Sequence, residues 1–217
     1  MKLKVSNIKL FIFDHDDTLV ETIRPKWAQH MYITKEFYSR DLTEAEIKEH
    51  WGKPFTTLLR YLYKTDHIDI AMSYNIATRD MFPKKLFQGT LDTLRALKEK
   101  GKKLAILTST TKASLTNDFE LLGIDSDLFE FIQTEDDTEY HKPHPRVMDP
   151  IKKWIEKNGI DIQETVFIGD DMRDLNTAKN TGVQFIGVTT GMTTPADFKK
   201  HRVPYINGIA DLLKTFK

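Results

Sequence analysis

The sequence predicts an α/β protein built on a doubly wound parallel sheet, with an α-helical domain inserted after the first strand. Three observations lead there. Five short runs, IKLFIF (8–13), KLAILT (103–108), LFEFI (128–132), TVFIG (165–169) and QFIGV (184–188), are apolar on both faces, as strands are when helices cover both sides of a parallel sheet. From about residue 87 onward these runs alternate with amphipathic stretches, the rhythm of βαβ units. Residues 20–86 break that rhythm, with helical spacing throughout and no comparable strand run.

Taken in order, the first run ends abruptly on Asp14, Asp16 and Asp17. Within the insertion, Trp27, Met31 and Phe37 or Tyr38 make one apolar stripe. Thr43 and Glu46 have capping-box spacing ahead of Ile47, and Phe55, Leu58, Leu59 and Leu62 recur as one buried helix face. Periodic apolar residues of this kind form core more often than they hold ligands. Beyond the insertion, Leu91, Leu94 and Leu97 mark a helix over 90–100 that stops at Gly101. Residues 111–122 stop the same way at Gly123, and 172–181 at Gly182. The expected division is a core of 1–19 with 87–217 and a helical cap of 20–86.

The chain has 217 residues, enough for one core and a modest insertion, with 32 basic and 32 acidic residues. That balance argues against a basic nucleic-acid surface or a polybasic membrane patch. Cysteine is absent, which excludes disulfides, thiolate nucleophiles and cysteine-ligated zinc and fits a reducing cytoplasm. The opening MKLKVSNIKLFIF has some signal-peptide character, but its apolar run is short and ends at aspartates instead of a small-residue cleavage site. No segment has the apolar length to span a bilayer. The expectation is a cytoplasmic protein, a monomer or weak homodimer, without nucleic-acid or membrane partners.

In an open parallel sheet, ligands gather at the carboxyl ends of the strands. Four such ends are polar here: Asp14-His15-Asp16, Thr108-Ser109, the loop with His141-Lys142-Pro143, and Gly169-Asp170-Asp171 followed by Asp174. Strand alternation sends Asp14 and Asp16 to one side and His15 to the other. Two carboxylates about 4 Å apart repel by about 4 kcal/mol at an effective dielectric near 20, so a compensating cation is expected. A hard divalent ion such as Mg²⁺ takes oxygen ligands and keeps waters for a phosphate. One carboxylate can then act as nucleophile and its neighbour as proton donor. Either acidic motif alone could be a turn or a helix cap; both at strand ends point to a site.

These residues resemble the motifs of the haloacid dehalogenase (HAD) superfamily, in the subgroup of phosphoglycolate phosphatase and β-phosphoglucomutase. FDHDDTL is similar to its DxDxT motif, LAILTST to the strand ending in Thr or Ser, HKPHP to the lysine motif and FIGDDMRDL to GDxxxD. They occur in the family's order over 10–192, and HWGKPF (50–55) resembles a cap-loop segment. The resemblance implies a Rossmann-like core and a Mg²⁺-dependent phosphatase acting on a small phosphorylated metabolite, with the cap closing over the core site. It implies that Asp14 becomes an aspartyl phosphate, that Asp16 protonates the leaving oxygen and then activates water, and that Thr108 and Lys142 hold phosphoryl oxygens. It also implies Mg²⁺ bound by the Asp14 carboxylate, the Asp16 backbone carbonyl and Asp170.

Asp17 stands where that family most often has glycine, and is read as a turn former ahead of a direct role. Asp171 and Asp174 are left between supporting or ligating the metal, with a helix cap an equal reading for Asp174. Ser109 joins the substrate contacts, since it precedes a helix whose amides can face phosphate. His141 and His144 have zinc spacing, but a phosphate loop fits Lys142-Pro143 better. The acidic run 135–139 is read as a solvated loop. In the insertion, Arg24, His30, Lys53 and Arg60 are candidates for substrate contact, with Lys53 first. A sugar phosphomutase is the nearest alternative; dehalogenase and phosphonate chemistry fit position 16 less well. From another class comes a phosphorylatable switch with little turnover, for which the insertion is out of place.

Overall fold

A computed structural model of the protein describes residues 7–216. The first six residues of the MKLKVSNIKLFIF segment lie outside the described residues. The chain divides into two compact units, Met1–Glu21 with Lys85–Lys217, and Thr22–Lys84.

In chain order the elements are β1 (Leu10–Phe13), β2 (Val20–Glu21), α1 (Ile23–Tyr38), α2 (Glu44–His50), α3 (Phe55–Tyr63), α4 (Ile68–Thr78) and β3 (Lys85–Leu86). There follow α5 (Thr90–Glu99), β4 (Lys103–Leu107), α6 (Lys112–Leu122), β5 (Phe131–Gln133), α7 (Asp149–Lys157), β6 (Thr165–Gly169), α8 (Met172–Thr181), β7 (Gln184–Val188), α9 (Pro195–Lys200) and β8 (Tyr205–Ile206). Among the described residues no helix is long and apolar enough to cross a membrane.

The core unit is the α/β sheet that the apolar runs predict. Six strands lie in the order β5-β4-β1-β6-β7-β8 among the described residues, and every pair is parallel. β1 is central, with Phe13 opposite Ile106 on one side and Ile168 on the other. Its side chains alternate between two apolar layers. Phe11 and Phe13 join Leu94, Leu97, Leu115 and Phe119 of α5 and α6, whereas Leu10 and Ile12 join Ile151, Ile155, Leu175 and Phe198 of α7, α8 and α9. This two-sided burial is why the strands read as continuous apolar runs. The helix stops also fall as expected: Gly123 and Gly182 follow α6 and α8 with φ of 66° and 76°, a conformation cheap for glycine.

Several details differ from the sequence reading. In the 128–132 run, Leu128 ends a 3-10 turn and the strand begins only at Phe131. β8 was not foreseen, because two residues carry no periodicity. Val20–Glu21 and Lys85–Leu86 pair antiparallel with each other, so the division falls two residues inside the expected 20–86 boundaries at each end.

The second unit packs α1 to α4 around Trp27, Ile33, Ile47, Leu58, Leu59, Leu62 and Tyr63. The Thr43–Glu46 capping box forms at the start of α2. Phe55 leaves the expected α3 stripe and is exposed at the helix start, with the Lys26 ammonium 5.3 Å from its ring centre. Phe37 is likewise exposed and stacks on Tyr74 at 4.0 Å, so Tyr38 is the residue that continues the α1 stripe.

Candidate active site

Each polar strand end begins where its strand stops. Asp14 follows β1 directly, and its backbone N–H donates to the Ile168 carbonyl at 2.9 Å, which continues the register with β6. Thr108 follows β4 and donates its N–H to the Gln133 carbonyl at 3.0 Å, while its hydroxyl accepts from the Thr110 N–H at 3.0 Å. Asp170 follows β6. Lys142 comes from the loop after β5.

The central contact is an ion triad. The Lys142 ammonium donates to an Asp14 oxygen at 2.7 Å and to an Asp174 oxygen at 2.8 Å, all three side chains being nearly sealed from water. Carboxylate oxygens of Asp14, Asp170 and Asp174 come within 4.8 Å of one another. Thr18 also donates to Asp170, at 3.4 Å. Glycines make room for this crowding: a Cβ on Gly191 would fall on the Asp170 carboxylate, and one on Gly169 on Asp174.

The electrostatics follow from burying three carboxylates beside one ammonium. Burial pushes the Asp14 carboxyl up to about 7, against the pull of Lys142 and with Asp174 and Asp16 adding to the rise. Burial likewise pushes Asp170 well above the usual carboxylate range, reinforced by Asp174 and Asp14. For Lys142 burial disfavours the charge, but Asp14 and Asp174 outweigh it and raise the ammonium above its ordinary value. The protein alone leaves this pocket of charge under-neutralised, and an all-oxygen donor set of this kind fits a hard divalent cation.

Asp16 is arranged differently. The strand ends at Phe13, so the alternation that pairs Asp14 with Asp16 does not run on through the turn. The Asp16 carboxylate instead accepts a short hydrogen bond from the Thr110 hydroxyl. Asp17 has φ of 56°, the left-handed conformation that suits the turn and that aspartate tolerates better than most residues. Asp171 caps α8, accepting from the Arg173 N–H at 2.5 Å and pairing with the Arg173 guanidinium at 2.8 Å.

Asp174 takes the helix-cap role that the sequence offered for it and adds a second duty that the sequence did not suggest. One oxygen accepts from the Asp171 N–H at 3.3 Å in a capping box, and the other from Lys142. The signal for the first duty is the i, i+3 acidic spacing in GDDMRD; nothing local signals the second. The Thr110 hydroxyl contact with Asp16 was likewise missed, since the loop's local spacing suggests only phosphate-facing amides or helix capping.

The other candidates are dispersed. Ser109 is exposed beside Thr108. His144 accepts from the Arg146 N–H at 3.2 Å and stacks on Tyr140, and His141 lies 3.7 Å from Glu135, so both have roles other than zinc ligation. The 135–139 run is more than a solvated loop, because Asp136 accepts from the Lys112 N–H at 2.7 Å and Asp137 closes a capping box with Thr134. Lys53 is in the helical unit, exposed, 2.7 Å from His50 and over the Tyr61 ring at 4.3 Å. Arg60 pairs with Asp66 at 3.1 Å. His30 is withdrawn as a contact residue: it is completely buried in the helical unit and bonded to the Tyr63 hydroxyl at 2.7 Å.

Comparison with known proteins places these features in context. The sequence model of a family described as haloacid dehalogenase-like hydrolase matches residues 11–188. The pyrophosphatase PpaX of Bacillus pumilus is 27% identical over 212 residues, covering 96% of this chain and 96% of that protein. PpaX of Anoxybacillus flavithermus is 28% identical over 185 residues, 84% of each chain. Among solved structures, a Bacteroides fragilis protein provisionally described as a haloacid dehalogenase-like hydrolase superposes with a TM-score of 0.72 at 26% identity, over 94% of this chain and 99% of the other. A Thermotoga maritima protein provisionally described as a β-phosphoglucomutase superposes with a TM-score of 0.81 at 19% identity, over 95% and 97% of the two chains, a likeness of fold.

Proposed function

The chain belongs to the haloacid dehalogenase-like hydrolases, and from that premise we propose that it is a Mg²⁺-dependent phosphatase that hydrolyses a small phosphorylated metabolite through an aspartyl phosphate on Asp14. The observation that carries this reading is the Lys142 ammonium, 2.7 Å from Asp14 and 2.8 Å from Asp174, beside a third carboxylate at Asp170.

In this reading an Asp14 oxygen attacks phosphorus in line with the leaving oxygen. Lys142 keeps Asp14 oriented and, with Thr108 and Ser109, receives phosphoryl oxygens. Asp16, held by the Thr110 hydroxyl, gives its proton to the leaving oxygen and then takes one from the water that cleaves the aspartyl phosphate. Asp14, Asp170 and the Asp16 backbone carbonyl would hold the cation, and Asp174 keeps Lys142 in place. When bound, Mg²⁺ supplies positive charge against the phosphoryl oxygens and the crowded carboxylates. Lys53 of the helical unit is assigned to substrate discrimination.

The PpaX relatives are named pyrophosphatases, which sets inorganic pyrophosphate beside phosphomonoesters as a substrate class. The test is phosphate release with Mg²⁺ from a panel of phosphorylated metabolites, pyrophosphate and p-nitrophenyl phosphate, comparing the wild type with Asp14→Asn. The expected result is stoichiometric phosphate from the wild type and none from a folded Asp14→Asn variant. Full activity in the variant rejects the nucleophile. Isomerised sugar phosphate without phosphate release marks a mutase, and a stable aspartyl phosphate without turnover marks a switch.

A further inference from the structure

Just past Phe11 and Phe13, which lie in the α5–α6 layer, the turn after β1 sets a histidine against α6 of that same layer. His15 is completely buried. Its ring lies 5.9 Å from that of Phe119, and its Nε2 is 3.0 Å from an Asp118 carboxylate oxygen on α6. Its Nδ1 is buried with no hydrogen-bond partner among the described residues. An apolar residue continuing the phenylalanine row would serve the core at least as well, because buried polar pairs often contribute less to stability than apolar replacements of similar volume.

What the pair adds is a connection. His15 stands between Asp14 and Asp16, and Asp118 is on the helix that follows the Thr108–Thr110 loop. That loop already holds Asp16 through the Thr110 hydroxyl. One polar atom from each of His15, Asp16 and Asp118 falls within a mutual distance of 4.8 Å. The turn carrying both aspartates is thus joined to one segment of chain at two points, by contacts that span 94 and 103 residues.

We infer that His15 and Asp118 are a positioning pair for the reaction: by anchoring the turn to α6 they fix the spacing of Asp14 and Asp16 relative to the phosphate-holding loop. The inference rests on the phosphatase reading above. Ground-state contacts to phosphate come from other residues, so loss of the pair acts on kcat more than on KM. Displacement of reacting groups by about 1 Å can cost on the order of 100-fold in rate.

The test uses the full chain, Mg²⁺ and p-nitrophenyl phosphate. The double variant His15→Leu/Asp118→Ala nearly conserves the volume of the pair and removes its polarity. It is expected to melt close to the wild type, with kcat lower by at least roughly 10-fold and KM within roughly twofold. Asp118→Asn keeps an acceptor for the Nε2 hydrogen and is expected to recover kcat to within roughly threefold. A folded double variant with wild-type kcat overturns the inference, as does Asp118→Asn being as slow as Asp118→Ala. Should the double variant fail to fold, those two single variants decide by the same kcat comparison. Asp14→Asn is run alongside: if it remains active the Asp14 mechanism on which the inference rests fails, whereas an inactive Asp14→Asn with an unimpaired double variant rejects the positioning role alone.

Discussion

Lys142 holds its ammonium 2.7 Å from Asp14 where the two side chains are only 5% and 11% exposed. Such a pair is worth little as a net gain, but removing one member strands the other. Lys142→Met is therefore expected to cost about 3 kcal/mol of stability in the metal-free protein and at least about 100-fold in kcat/KM. Added Mg²⁺ is expected to restore part of the stability. Denaturant melts with and without the ion check this; an unchanged melting curve would mean that the ammonium does not neutralise the site.

Metal dependence carries a pH signature. The Asp14 carboxyl, pushed from 3.8 to about 7 mainly by burial, binds its proton more tightly in the folded than in the unfolded chain. Its stabilising contribution is complete below the unfolded value and disappears as pH rises through about 7, leaving an unfavourable buried charge above it. A divalent cation offsets that charge. The rise in melting temperature on adding Mg²⁺ is thus expected to be larger near about pH 8 than near about pH 5.5. Equal rises at both pH values would remove the link between Asp14 and the ion.

Asp17 offers a test in the opposite direction. Its φ of 56° costs an L-residue energy that glycine does not meet, and its charge adds to the rise at Asp170. Asp17→Gly is expected to stabilise the protein by up to about 1 kcal/mol while leaving kcat within about threefold. A clear drop in melting temperature would show that the carboxylate does more than form the turn.

The helical unit has its own titration. Burial, with a smaller effect from Lys26, pushes His30 from 6.5 down to about 3, so the unfolded chain binds the extra proton throughout that interval. Stability from His30 is present above the unfolded value and is lost progressively as pH falls below 6.5 towards about 3. In a Trp154→Phe background, fluorescence reports on Trp27 and Trp51, which lie 5.7 Å apart in this unit. Its unfolding midpoint is expected to fall on acidification, and His30→Gln to flatten that dependence. A pH-independent midpoint in the parent background would contradict the buried neutral ring.

What could be read from the chain follows a physical division. Asp14, Thr108 and Asp170 were legible as site candidates because each ends an apolar run, and a parallel sheet gathers such ends on one side. Lys142 was legible as the cation of the loop that follows the third run, and its motif then gave it a role. Phe55 was misplaced, and Phe37 could not be told from Tyr38, because helical spacing records which residues share a face but not whether another element covers it. Asp174 showed its capping role through local spacing, whereas its contact with Lys142 spans 32 residues. The His15–Asp118 contact spans 103 and has no local trace.

The central place of β1 has a consequence for assembly. Both of its neighbours, β4 and β6, lie far downstream, with the whole helical unit intervening before the first of them. During synthesis the aspartate-bearing strand emerges before both of its neighbours and remains without a sheet partner until the helical unit has been made. Acquisition of the reactive geometry should therefore be a late, slow event governed by long loop closures, and recovery of activity on refolding should lag behind formation of helix.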